Sequence, residues 1–152
     1  MNNMGYGNRS GSLVFGNAGI AEGTNAATAQ IATAFDFTIN GMFYTKAITD
    51  NIALTATAQQ AAETTCLYAL SIDAAGAVTT TKGVEVSTTE LANGQAGLTY
   101  PTTCPDDEAV FGVIKVATAA ATTFTTGTTD LGAAGITDTY YNVSALPADN
   151  LA

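Results

Sequence analysis

The chain has 152 residues, 47% of them hydrophobic and only 11% charged, with a net charge of −9 and no histidine. Its four cations, Arg9, Lys46, Lys82 and Lys115, are too few and too scattered for the basic stripe that phosphate neutralisation requires, which excludes nucleic acid as a partner. No run of 18 apolar residues occurs, so a membrane-spanning helix and a membrane partner are excluded as well.

The hydrophobic fraction overstates the core. Alanine supplies 29 residues, whereas Leu, Ile, Val and Phe together make about a fifth of the chain, the edge of the range for independent folding. The low charge density is nevertheless unlike that of a disordered segment. A thin core and a weakly charged surface predict stability drawn from neighbours, hence a homo-oligomer. The N-terminus lacks a basic segment followed by an apolar run, which predicts synthesis in the cytoplasm rather than export.

Residues 1–34 are punctuated by Gly5, Gly7, Gly11, Gly16, Gly19 and Gly23. They read as an extended arm that orders against a partner through Tyr6, Leu13, Val14 and Phe15. Ser12–Phe15 is open to a short strand or a docking patch, and the Ala/Thr/Gln tract 24–34 to a short helix. At residue 35 the pattern changes. FDFTINGMFYTK places alternating runs on either side of Asn40-Gly41, the strongest short-range hairpin signal. The turn aligns Ile39 with Met42, Phe37 with Tyr44 and Phe35 with Lys46. Phe35, Phe37, Ile39, Met42 and Tyr44 then share an apolar face, and Phe43 falls on the other with Asp36, Thr38 and Thr45.

Ile52–Thr57 reads as a strand, 58–65 as a loop or a single helical turn, and Cys66–Ile72 as a strand returning through Asp73–Gly76 into Ala77–Thr81. Val84–Thr88 alternates again. A long connection, about 92–108, ends in Asp106-Asp107-Glu108. Ala109–Ala117 is nearly continuous apolar sequence, as in a central strand buried on both faces and suited to covering the hairpin. Thr122–Thr126 and Thr137–Val143 complete eight or nine short strands. The predicted fold is all-β, an antiparallel β-sandwich or jelly-roll-like module over 35–146, with the arm before it and a tail at 147–152.

Candidate chemistry is sparse. Without histidine, the usual general base and every Ser-His or Cys-His nucleophile are missing, so no catalytic residue and no enzyme activity are predicted. Cys66 and Cys104 lack metal-ligand spacing and read as reduced thiols, with a disulfide closing the 66–104 loop left open. The acidic run at 106–108 lacks the alternating spacing of a calcium loop and reads as a solvated turn. No metal and no cofactor are expected. The 27 threonines suit polar, uncharged strand faces, either solvated or forming subunit contacts.

Four segments, DFTINGMFYTKAITDNIAL, CLYALSIDAAGAVTTTKG, CPDDEAVFGVIKVAT and FTTGTTDLGAAGITDTYYN, resemble small virion proteins of tailed bacteriophages, the capsid decoration (cement) and head-fibre-like proteins. The resemblance covers about 35–143. It implies a non-enzymatic virion structural protein on the capsid surface, bridging capsid subunits, with the major capsid protein and further copies of itself, as a trimer, for partners. Tyr6, Leu13, Val14, Phe15 and Phe43 are then the candidate capsid or subunit contacts. Two alternatives remain open: a fibre or receptor module stacking glycans on Tyr100, Tyr140 and Tyr141, and a tail or neck component.

Overall fold

Eleven short strands and one five-residue helix make up the described residues, 11–101, 105 and 107–143, of the computed structural model. In chain order they are β1 (Leu13–Phe15), β2 (Ile20–Glu22), β3 (Thr28–Ile31), β4 (Phe35–Ile39), β5 (Met42–Lys46), β6 (Thr49–Ala53), β7 (Thr64–Ile72), β8 (Val78–Lys82), β9 (Val86–Ser87), α1 (Thr88–Ala92), β10 (Ala109–Thr118) and β11 (Ile136–Asn142). All pairings are antiparallel, in three sheets: β1-β4-β5, β2-β3-β6, and β11-β10-β7-β8 with β9 on β7. The fold is all-β and sandwich-like.

The hairpin forms in the expected register, Ile39 opposite Met42, Phe37 opposite Tyr44 and Phe35 opposite Lys46. Asn40 and Gly41 have φ of 51° and 80°, the left-handed pair that a two-residue I′ turn demands. Phe35, Phe37 and Ile39 are buried as expected, but Met42 is not. It sits at the tip of an edge strand, where the inner face runs out beyond its cover.

The boundary expected at residue 35 is not observed. Strands β1, β2 and β3 lie within 11–34 and are built into two sheets, and Val14, Ala18, Ile20, Ala29 and Ile31 are core residues. The strand offered at Ser12–Phe15 is observed as β1, whereas β2 and β3, with three and four residues, are too short to show a period. The tract 24–34 forms no helix. Thr28–Ile31 pairs with β2 and β6, and tertiary pairing overrides weak local propensity. Residues 1–10 and 144–152, including Tyr6 and the 147–152 tail, lie outside the described residues.

The two small sheets pack on one face of the five-stranded sheet. Phe35 stacks on Phe111 with ring centroids 5.4 Å apart, so the hairpin does meet the apolar strand β10. β10 is central, flanked by β7 and β11. Its near-continuous hydrophobicity has two causes. The opposite face is also covered, since Leu67 and Val113 pack with Leu98, Val86, Leu91, Tyr100, Tyr141 and Val143. The register also shifts between Val110 and Gly112. A bulge of this kind interrupts the alternation, so that Phe111 and Ile114 both enter the main core.

Gly112 makes a notch at this bulge. A Cβ there would lie 1.6 Å from Ile20 Cδ1 and 3.2 Å from the Tyr141 carbonyl, and Ile20 is itself buried. Strand β2 is thereby keyed into β10.

Three expected strands are shortened. The sixth ends at Ala53, because Thr55 and Thr57 turn to other partners: Thr55 exchanges bonds with Thr80, and Thr57 with Thr126. Val84–Thr88 yields only β9 before the chain turns into α1. Thr122–Thr126 contributes a single bridge, Phe124 with Gln60.

Segment 58–63 is a loop that is nevertheless pinned. Gln60 is fully buried. Its Nε2 donates to the Thr64 and Val116 carbonyls (3.0 and 3.1 Å), and its Oε1 accepts from the Tyr68 hydroxyl at 2.9 Å. Outside, Lys82 Nζ pairs with Glu85 and donates to the Ala58 and Gln59 carbonyls. Glu85 in turn accepts from the Ala61 amide and the Thr64 hydroxyl. Partial burial works against ionisation of Glu85, but Lys82 and these donors outweigh it and hold the carboxyl below its ordinary value.

Two outcomes are expected. Gly112→Ala destabilises by about 1–3 kcal/mol through overpacking, and by clearly less in an Ile20→Ala background; strict additivity in thermal unfolding would show that the two residues do not meet. A carboxylate with a lowered folded pKa contributes stability above its ordinary value of 4.5 and loses it as pH falls through the folded value. The thermal midpoint therefore drops less steeply on acidification in Glu85→Gln than in the parent, and parallel curves would remove Glu85 from the loop clamp.

Candidate functional site

Alternation along the hairpin decides which side chains reach the surface. β1 lies beside β4 with Leu13 opposite Thr38 and Phe15 opposite Asp36. β5 lies on its other side with Phe43 opposite Thr38 and Thr45 opposite Asp36. Leu13, Phe15, Asp36, Thr38, Phe43 and Thr45 therefore share the outward face of this sheet. Phe15 and Phe43 stack across it, centroids 5.8 Å apart and planes inclined by 19°. Phe43 is nevertheless 76% exposed and Phe15 45%, with Leu13 at 39% on the same face. An exposed aromatic pair on a polar-uncharged background marks a contact surface more strongly than scattered apolar residues do.

The floor and edges of this face are ordered by hydrogen bonds. Thr38 is buried in the middle strand and its hydroxyl accepts from the Leu13 amide at 3.1 Å. The Asp36 carboxylate accepts from the Thr45 hydroxyl at 2.6 Å, so the face's one carboxylate is already engaged. At the tip, Gly41 N–H donates to the Gly11 carbonyl at 2.7 Å and Asn40 N–H to the Ser12 hydroxyl at 3.2 Å. Gly11 has little room for a side chain, with the Gly41 nitrogen 2.9 Å from where a Cβ would stand.

Of the residues expected to make contacts, Leu13, Phe15 and Phe43 are brought together. Val14 is not among them; it alternates inward, pairs opposite Phe37 and is buried. Tyr6 lies outside the described residues. Met42 is exposed as well, but on the opposite, inner face of the sheet. Its position flanking Asn40-Gly41 was the available signal, because residues at a hairpin tip outrun the sheet that covers them.

The three tyrosines do not form a platform. Tyr140 and Tyr141 are consecutive on β11 and point to opposite faces, Tyr140 against the main core and Tyr141 into the smaller cluster with Tyr100. All three are half-buried. The hydroxyls of Tyr100 and Tyr140 are enclosed without a hydrogen-bond partner among the described residues, and burial raises the pKa of both. Tyr140 and Tyr141 therefore cannot share one stacking surface.

The acidic run is also not a simple solvated turn. Glu108 accepts from the hydroxyls of Ser71 and Thr79 on adjacent strands, and so caps one end of the β7-β8 pair. Asp106 lies outside the described residues. Among the described residues no group of three or more Cys, Asp or Glu side chains could hold a metal ion, and no helix is long and apolar enough to cross a membrane. Cys66 is fully buried in β7, its thiol directed at the Leu67 and Gly83 carbonyls. Burial pushes its pKa up to about 11, the opposite of an activated nucleophile. Cys104 lies outside the described residues.

Comparison with protein-family models, with curated proteins and with solved structures finds no match to this chain.

In a Cys104→Ser background, Cys66 is expected to resist a thiol-reactive dye until the protein unfolds. Labelling at the rate of an open thiol under native conditions would contradict its burial.

Proposed function

We propose that this protein is a non-enzymatic structural component of a bacteriophage virion, made in the host cytoplasm, that decorates the capsid and binds its subunits through the outward face of β1-β4-β5. The observation that carries the contact surface is the stacked, exposed Phe15–Phe43 pair with Leu13 on the same face. The bacteriophage assignment rests on the sequence resemblance over 35–143.

Electrostatics support an uncharged contact. The chain carries −9, and of its cations Lys46 donates to the Gly76 carbonyl while Lys82 is engaged by Glu85 and two loop carbonyls. Lys82 is thereby paired within the chain, and neither cation stands on the outward face of β1-β4-β5. The uncharged side chains of this face can be dried with little penalty, as the core of a protein interface must be, while the exposed Asp36 carboxylate keeps its solvation.

Because β1 to β3 belong to the fold, the face is tested by point substitution and not by removing residues 1–30. Phe15→Ser is expected to leave the protein folded and to weaken co-sedimentation with undecorated capsids at least tenfold, with loss of the added heat stability of the particle. Parental binding by Phe15→Ser, or no binding by the parent chain, would overturn the assignment of this face or of the capsid role respectively.

A further inference from the structure

The turn fixes which backbone groups of β5 are free. In a two-residue hairpin the residues flanking the turn exchange hydrogen bonds, and bonded and non-bonded pairs then alternate. Ile39 with Met42, Phe37 with Tyr44 and Phe35 with Lys46 are thus the bonded pairs. Phe43 and Thr45 direct their N–H and C=O groups away from β4. Strand β5 is last in its sheet, and among the described residues nothing pairs with that side. The corresponding edge of the large sheet is closed: Thr80 N–H on β8 donates to the Thr55 hydroxyl, and Thr55 N–H donates back to Thr80.

β5 also lacks two of the usual guards of an exposed edge, proline and a bulge, and its one charge stands at the strand's end. Its lysine, Lys46, donates to the Gly76 carbonyl 2.8 Å away. The side chain beside the free backbone groups is the most exposed aromatic, Phe43.

We propose that two copies of this chain pair their β5 strands antiparallel about a two-fold axis at Tyr44, merging two three-stranded sheets into one of six. Phe43 then exchanges backbone bonds with Thr45 of the other copy and Thr45 with its Phe43, so the same segment serves both sides, as a two-fold contact requires. The Phe43 rings of the two copies stand diagonal to one another on the outward face, within reach for aromatic contact. Like-charged copies can approach here because the edge presents no free carboxylate. With about 200 Å² on each aromatic side chain and a similar area on leucine, the exposed parts of Leu13, Phe15 and Phe43 amount to on the order of 300 Å². A patch of that size on a monomer is commonly functional, and the edge backbone extends it toward the roughly 800 Å² per partner of a stable complex. The pairing holds whether or not the same face docks on a capsid.

Sedimentation equilibrium of the free, full-length protein tests it. The parent is expected to be dimeric, with slow amide exchange at Phe43 and Thr45. Thr45→Pro removes an outward N–H without touching the β4 ladder, and is expected to weaken the dimer at least tenfold and to release Phe43 exchange, with cooperative thermal unfolding retained. Should that variant misfold, Phe43→Lys decides, since its ring contributes only the surface stack with Phe15. A monomeric parent overturns the proposal, and so does a dimer or trimer that persists in the folded variants. A monomer that still binds capsids would overturn the pairing alone; a dimer that binds none would overturn the capsid role alone.

Discussion

Gln60 is the constraint on which the irregular half of the fold depends. A buried amide is tolerable only when its hydrogen-bonding groups are met, and here they are. Both donors reach carbonyls, Thr64 and Val116, and the oxygen takes the Tyr68 hydroxyl. Its backbone exchanges bonds with Phe124, and the Phe124 ring meets Tyr68 edge-on at 5.6 Å. One side chain therefore ties a loop, two central strands and a distant turn together. An apolar residue in its place would leave the Tyr68 hydroxyl without this acceptor and two buried carbonyls without these donors, at about 1–3 kcal/mol for each group left unpaired.

The threonines extend the same logic. Thr118 donates to the Ala61 carbonyl and Thr126 to that of Thr55, while Thr64 and Thr57 amides donate back to the same hydroxyls. Buried hydroxyls thus stand where a continuous ladder would otherwise satisfy the backbone. This explains how a chain with so few large aliphatic residues supports an ordered fold: its loops are fastened by polar groups of short reach, and alanine leaves the backbones room to approach. Neither solvated strand faces nor subunit contacts account for these particular threonines.

What the sequence reveals follows from the length over which a signal runs. The Asn40-Gly41 hairpin was legible to the residue, because the turn chemistry is local and fixes the register on both sides. β7, β10 and β11 were legible because seven to ten residues suffice to show burial. β1 was only half legible, as one of two readings of Ser12–Phe15, and β2 and β3 were not, since three or four residues show no period and their conformation comes from pairing with each other and with β6. Gln60 was invisible for a related reason: AQQAAETT gives no local hint of which glutamine turns inward. At the candidate site, alternation correctly put Phe43 on the outward face. The same rule places Val14 inward once β1 is recognised, and puts Tyr140 and Tyr141 on opposite faces, against treating either group as one surface.

The outward face and the free edge of β5 share one origin. The turn that sets the register also sets which backbone groups point away from β4, and it does so at the residues whose side chains point away from the core. Exposed hydrogen-bonding groups and an exposed aromatic ring therefore coincide at Phe43 by geometry, not by separate placement. Elsewhere the fold closes its polar groups inward: Lys46 and Lys82 reach backbone carbonyls, Glu108 holds two strand hydroxyls, and Thr55 covers the edge of β8. The β5 edge, by contrast, keeps the outward backbone groups of Phe43 and Thr45 unpaired among the described residues. Within the described residues, association through β5 needs no rearrangement of the fold, only a second strand of matching register.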